Sequence, residues 1–406
     1  SYRYQTYKWN ITTSLDGQLA LLDGRQSMPK NSDLSRQFTS LLPSFQARYN
    51  LGMKRNLRMN YNTSNNAPSI DQLQPVVNNN NTMQLSSGNP MLVQDYQHSL
   101  FLRYFSVTPE SGKNVFWMIN SQYSNNYISN KTILGGREAK WILMDSNVFS
   151  GPQSGSESYS GSDSVLLSPG GQITIPVNVN GYYSLRLFGS WGKTIKKINV
   201  NTNAGITTSH IPSLIQMGNA KAILNYATNP SITAGLVLAS NISEKIDFTV
   251  SGNGAYSQVI NSIQKTNNQT YINYNGRFAI NFMPTKKWVI NSDVTYQAYQ
   301  GLSSSFNQQY YLWNAGLGYK FMKGNAGELR LTAYDILNQN RSIQRNVTQT
   351  YYEDVRTKVL TRYLMITFTY KLRKFNGKGE DGKDMKMFFP GGMPPPGTPG
   401  HGMPGR

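Results

Sequence analysis

The feature that most constrains this chain is a two-residue alternation of apolar and polar side chains, repeated over three successive segments. Within 270–282, Ile272, Tyr274, Gly276, Phe278, Ile280 and Phe282 share one parity, and Asn273, Asn275, Arg277 and Asn281 the other. The pattern turns at Met283-Pro284-Thr285-Lys286-Lys287 and resumes with Trp288, Ile290, Val294 and Tyr296 against Asn291, Asp293, Thr295 and Gln297. A third run sets Trp313, Ala315, Leu317, Tyr319 and Phe321 against Asn314, Gly316, Gly318 and Lys320, ending at Lys323-Gly324-Asn325. A period of two belongs to a strand with one face in an apolar medium and the other in water. Each run is about ten residues long, the span of a tilted membrane-crossing strand.

Composition agrees with strands rather than helices as the crossing element. The 406 residues are 38% hydrophobic and 12% aromatic, mean hydropathy is -0.48, and no run of eighteen apolar residues occurs, so a helical membrane protein is excluded. The absence of cysteine fits a cell-envelope protein. Lys and Arg outnumber Asp and Glu 39 to 20. These cations are scattered singly over inward positions, turns and loops, with no basic helix, which argues against nucleic acid and for a polar lumen and rims facing anionic lipid heads.

Further strands read at about 2–13, 43–51, 57–61, 94–107, 114–131, 182–191, 196–207, 222–240, 245–258, 329–338 and 361–373, about fourteen in all. They are separated alternately by short turns and by long loops at 14–42, 62–94, 132–181 and 339–360. In an outer-membrane barrel the short connections are periplasmic and the long ones extracellular. The reading is therefore an all-β, antiparallel, up-and-down outer-membrane β-barrel over residues 1–375. Residues 376–406 form a separate Gly/Pro/Met-rich tail, expected as a solvated, extended or disordered segment in the periplasm, with docking of a periplasmic partner through the apolar 385–390 as the alternative. No export signal precedes Ser1, so a processed chain, or one missing its beginning, is expected.

Three segments carry a family resemblance. Pro68-Ser69-Ile70 and Gly88-Asn89-Pro90-Met91-Leu92 precede a strand bearing His98; Pro176-Val177-Asn178-Val179-Asn180-Gly181-Tyr182 leads into another strand; and Tyr334-Asp335-Ile336-Leu337-Asn338 ends the penultimate one. In this order they resemble the barrel of TonB-dependent receptors of the outer-membrane β-barrel family. That resemblance implies a 22-stranded barrel of which this chain is the C-terminal part, with a plug and about eight strands not recognisable here. It also implies energised import of a large scarce nutrient of the siderophore, glycan or peptide class, driven by the TonB complex acting on that plug. Outer-membrane lipid is then the solvent of the wall, and a surface lipoprotein or other outer-membrane subunits are expected partners. The competing expectation is a receptor-like barrel serving as a structural subunit of an outer-membrane complex.

No enzymatic chemistry is expected. His98, on the outward parity with Leu100 and Leu102, His210 in an expected loop, and His401 in the tail are the three histidines, and none is paired by sequence with a Ser or a carboxylate. No cofactor or metal site is expected: Glu380-Asp381 sits in the tail, Ser154–Ser164 with Glu157 and Asp163 reads as a solvated loop, and Gly316-Leu317-Gly318 lies inside a strand and opens no helix. Aromatics near strand ends, among them Tyr182, Tyr183, Trp191, Trp288, Trp313, Tyr319, Phe321 and Tyr370, read as headgroup-level girdles. The candidates for contact with a plug or solute are the inward residues Arg103, Arg186, Asn273, Arg277, Asp293, Lys320, Arg330, Tyr363 and Lys371.

Overall fold

The computed structural model describes residues 1–26, 32–52, 54–151, 164–218, 220–240, 243, 245–301, 308–340, 342–347 and 352–372. The expected tail with its 385–390 anchor, His401, the aromatic strand end at Phe375 and the Glu157/Asp163 loop lie outside the described residues. In chain order the elements are β1 (Tyr2–Gln5), β2 (Trp9–Gln26), β3 (Ser32–Gly52), β4 (Arg55–Asn66), helix α1 (Ile70–Leu73), β5 (Val77–Asn78), β6 (Gln84–Ser87), β7 (Asp95–Thr108) and β8 (Lys113–Asn125). There follow β9 (Tyr127–Leu134), β10 (Lys140–Leu143), helix α2 (Ser146–Phe149), β11 (Ser164–Leu167), β12 (Gln172–Val179), β13 (Tyr182–Ile195), β14 (Ile198–Met217), β15 (Ile223–Thr228) and β16 (Ser231–Ser240). The last are β17 (Ile246–Asn261), β18 (Gln269–Phe282), β19 (Trp288–Gln300), β20 (Gln308–Phe321), β21 (Gly327–Tyr334), β22 (Ser342–Val347), β23 (Tyr352–Thr357) and β24 (Tyr363–Tyr370).

Fourteen of these, β2, β3, β4, β7, β8, β13, β14, β16, β17, β18, β19, β20, β21 and β24, form one antiparallel meander, each paired with the next, and β1 folds back on β2. The register keeps a single apolar face across the whole wall. Phe248 lies opposite Ile280, Phe278 opposite Val294, Val294 opposite Trp313, Leu317 opposite Leu331, and Leu331 opposite Ile366. Much of this face is left bare: Phe278 is 45% exposed, Leu317 47% and Leu331 48%, more than a water-soluble sheet leaves uncovered over so wide an area. Rings flank the band. Trp9 meets Tyr49 at 4.4 Å and Trp288 meets Tyr319 at 4.9 Å toward the short turns, while Tyr274, Tyr296 and Tyr311 form a row toward the long loops. On β19, Trp288 and Tyr296 are eight residues apart, about 26 Å along the strand and about 20 Å across at a tilt of about 40°. That matches an apolar layer bounded by two interfacial girdles.

Several expected boundaries move for identifiable reasons. The strand expected at 2–13 breaks at Thr6, whose N–H donates to the Trp9 carbonyl at 2.7 Å and whose Oγ1 accepts from the Trp9 N–H at 3.0 Å, turning β1 back onto β2. Residues 14–42, expected as a loop, continue β2 and β3 as a ladder paired out to Gln26 and Ser32; Leu15, Leu19 and Leu21 hold the outward parity there. The run 222–240 is two strands, because Pro230 has no N–H for a ladder and follows Asn229 at the corner between β15 and β16. The run 114–131 breaks at Asn126, in the left-handed region at φ 56°. There β9 leaves the wall. The 339–360 loop contains the β22–β23 hairpin. Among the described residues no pairing joins β24 to β1.

The face assignment has a direct test. Val294→Arg, at the centre of β19 on the apolar face, is expected to destabilise the protein in lipid vesicles by roughly 2–4 kcal/mol, whereas Gln297→Arg on the opposite face costs little. Equal urea midpoints for the two variants would contradict the assignment.

Candidate functional site: the loop cap and the inner face

The long connections on one rim, expected as open loops, fold into a cap with its own core. β9 pairs antiparallel with β12, β12 runs parallel to β6, and β9 runs parallel to the outer end of β14. Leu85, Met91, Ile133, Ile142, Met144, Val148, Phe149, Leu167, Ile173 and Ile175 are packed between them. Alternation explains the choice: Ile173, Ile175 and Val177 share one parity of β12 and are fully buried.

Two asparagines from the family-like segments tie the cap together, Asn89 within it and Asn178 to the chain next to the wall strands β7 and β8. Asn89 Nδ2 donates to the Phe149 carbonyl at 2.8 Å and the Pro176 carbonyl at 2.7 Å, and its Oδ1 accepts from the Met91 N–H at 2.9 Å. Asn178 Nδ2 donates to the carbonyls of Val93 at 2.9 Å and Asn126 at 2.7 Å, while its Oδ1 accepts from the Val93 N–H at 2.9 Å. The segments around 88–92 and 176–182 are therefore halves of one structure. Gly88 is required beside them, since a Cβ there would lie 2.2 Å from the Gln74 carbonyl oxygen at the end of α1. Ser69 and Gln72 close α1 with a reciprocal capping box. Asp335 does the corresponding work at the other motif: its carboxylate accepts from the N–H groups of Gln339 at 2.8 Å and Asn340 at 3.0 Å as the chain leaves β21.

Among the described residues, one cation, Lys131, lies buried inside the cap. Lys131 is 3% exposed, and its Nζ donates to the Val148 carbonyl at 3.0 Å. Burial pushes its ammonium down to about 8, against an opposing pull from Asp145.

On the inner face of the wall, two of the expected residues, Arg277 and Asp293, meet each other, and a third, Arg330, meets an acid that was not expected, Glu328. Arg277 forms a salt bridge with Asp293, its Nε donating at 2.6 Å, and Arg330 pairs with Glu328, its Nε donating at 2.9 Å. Arg277, Asp293 and Arg330 line a recess of about 250 Å³ with Asp247, Asn281 and Asn291. Lys320 lies opposite Glu328 in the register. The other expected residues stand apart from this group. Arg186 lies between Asn120 and Thr207, Asn273 between Ala255 and Tyr299, Tyr363 stacks on Tyr334 at 4.7 Å, and Lys371 sits at the short-turn rim with its N–H on the Ala326 carbonyl. Arg103 joins a second group. It lies opposite Arg58, which in turn lies opposite Arg48. Arg48 and Arg58 were legible in the sequence, as the polar parity of strands whose apolar members are Ala47, Tyr49, Leu57 and Met59.

The histidines differ from expectation in one respect. His98 is on the outward face as expected, bonded to the Tyr61 hydroxyl at 2.8 Å among Tyr96 and Tyr123. His210, expected in a loop, is inside β14, stacked between Tyr183 and Tyr226 with Thr228 Oγ1 at 2.9 Å from Nδ1. Tyr182 is another exception: it stacks on Tyr127 at 4.2 Å beneath the cap, on the parity opposite the girdle.

Asn178→Ala leaves three backbone groups without partners and is expected to destabilise the cap by about 2–4 kcal/mol. Proteolysis within 137–140 should accelerate while the wall keeps its heat-shifted mobility in detergent gels; unchanged proteolysis would refute this tie. Lys131 makes the cap pH-sensitive. Its folded pKa lies below the value of 10.5 it has when exposed, so between about pH 8 and 10.5 the unfolded cap holds more protons and stability rises with pH. A gain on the order of 3 kcal/mol is expected across that window, read as exchange protection of the Ile173 and Ile175 amides after correction for intrinsic rates, and absent in Lys131→Met.

No curated protein matches this chain. Among solved structures, it is 9% identical to a FadL homologue of Pseudomonas aeruginosa, over 90% of this chain and 89% of that one, with a TM-score of 0.32. It is 8% identical to OmpT, an outer membrane protein of Vibrio cholerae, over 91% and 99% with a TM-score of 0.31, and 7% identical to the toluene transporter TodX of Pseudomonas putida, over 90% and 88% with a TM-score of 0.25. The family model for outer membrane protein β-barrels matches residues 1–370, and the chain, with its lipid-facing meander, belongs to the outer membrane protein β-barrel family.

Proposed function

We propose that this outer-membrane barrel serves energised uptake of a large polar nutrient, as the wall and outer cap of a TonB-dependent receptor-like transporter. In this reading the long-loop rim faces the outside of the cell and the short turns face the periplasm. The cap meets the solute, and the charged inner face lines its passage. The TonB-engaging plug belongs to polypeptide outside the described residues. The observation that carries the reading is the joining of the two receptor-like motifs, through Asn89 and Asn178, into one folded cap on the rim of a polar-lined wall. The chain contributes binding surface and no covalent chemistry.

A second reading, a structural subunit of an outer-membrane assembly, draws on the β10–β11 ribbon. Ile142 and Val165 turn into the cap core while Trp141 is 62% exposed and Leu166 46%, an apolar outer face suited to a surface lipoprotein or another subunit.

The two readings separate in living cells. Under nutrient limitation, deleting the gene and inactivating TonB are expected to give the same growth loss without adding to each other. If the deletion leaves growth intact under every limitation tried but releases another outer-membrane protein from its complex, and Trp141→Ala with Leu166→Ser does the same, the subunit reading replaces the transporter one.

A further inference from the structure

The inner face has two unlike halves. On β18 to β21 the two arginines that face inward each have a carboxylate, Arg277 with Asp293 and Arg330 with Glu328. On β3, β4 and β7 Arg48, Arg58 and Arg103 stand side by side on successive strands, with no carboxylate against any of them among the described residues. Their Cα atoms are roughly 5 Å apart across each ladder, where like charges repel. The inward carboxylates of the same strands and their neighbour are remote. Asp16 lies opposite Leu42, six residues and about 20 Å along β3 from Arg48, and Asp95, eight residues from Arg103, accepts a hydrogen bond from Ser124. Arg58 spends its Nε on Asn60 Oδ1 at 3.1 Å, leaving its terminal nitrogens. Arg103 Nε is sealed from solvent with no hydrogen-bond partner, the one arginine nitrogen so placed among the described residues. A shielded charged donor without an acceptor marks a site that is incomplete.

Beside this ladder the inner face turns apolar. Phe105 lies opposite Phe116, and Arg103 opposite Met118, which lies opposite Phe188; Phe101 is on the same face, and the Phe116 and Phe188 rings are 6.1 Å apart. Set beside Arg103, Asn120 and Arg186 on the face turned away from lipid, such a cluster of rings gains from a cover. The ladder and the cluster together cross five strands, β3, β4, β7, β8 and β13, a width of about 19 Å. A small carboxylate would reach one arginine pair. About six extended residues would reach from Arg48 to Phe188.

We propose that this part of the inner face is the seat of a polypeptide segment that presents carboxylates to Arg48, Arg58 and Arg103 and apolar side chains to Phe116, Met118 and Phe188. The guanidinium forks suit carboxylates in bidentate geometry. The seat is a property of the wall alone and holds for a transporter or a subunit, so its failure and that of the uptake reading are separable.

The test uses the full chain in its own outer membrane, with p-benzoylphenylalanine replacing Met118 in one strain and Phe188 in another. Illumination is expected to join both positions to one peptide sequence containing at least two Asp or Glu residues, mapped by mass spectrometry. Adding Arg48→Gln, Arg58→Gln and Arg103→Gln should lower adduct yield about tenfold while heat-shifted mobility persists, and the corresponding three Lys variants should retain most of it. An adduct to a sequence without acidic residues, adducts to lipid alone, no adduct from either position, or a yield unchanged by the Gln variants would overturn the proposal. Should the Gln variants lose heat-shifted mobility, competition decides: 20 mM citrate added to membranes of the photoprobe strains is expected to leave the peptide adduct in place, and its displacement would show a small-carboxylate site instead.

Discussion

Everything in this protein depends on a backbone that satisfies its own hydrogen bonds where no water is available. A strand in lipid must find partners on both sides, and a meander of neighbours supplies them while presenting alternate side chains outward. That requirement explains why one parity stays apolar across the lipid layer from Trp9 in β2 to Phe368 in β24, through thirteen successive pairings, with the β3–β4 register shift confined to the turn end between Asn50 and Gly52. A one-residue shift within that layer would put Asn and Arg into lipid and Leu into the lumen, so register and amphipathicity enforce each other.

The same requirement decides where the chain stops being wall. Asn126 at positive φ releases β9, and Asn178 and Asn89 then replace the lost ladder with side-chain bonds to backbone groups. Once out of the lipid layer, the chain must bury its apolar side chains against itself, and Ile133, Phe149, Ile173 and Ile175 do so. The protein thus uses two solvents. Lipid organises the strands from outside, and a dry protein core organises the cap from within.

The inner face follows neither rule. Its arginines are paired with carboxylates on β18 to β21, and among the described residues they have none on β3, β4 and β7. A wall that only needed to stand in a membrane would gain nothing from setting Arg48, Arg58 and Arg103 next to one another. Arg103 and Arg277 are each a lone cation on the inward parity of their strands, yet Arg277 has a carboxylate at its side and Arg103 has two more arginines along the ladder.

Much of the wall was legible in advance because a strand's period is local. Alternation around Phe278, Val294 and Leu317 can be read from ten residues, and with it the fold class, the face in lipid and about fourteen crossings. The alternation of Leu15, Leu19 and Leu21 was present too, but small polar neighbours made it read as a loop. What only the tertiary structure decided is lateral. Which residue stands beside Arg103, whether Arg277 meets an acid, and how segments 85 residues apart join through Asn178 and Val93 are set by register and loop packing. Those are agreements between distant parts of the chain, and a local period carries no information about them.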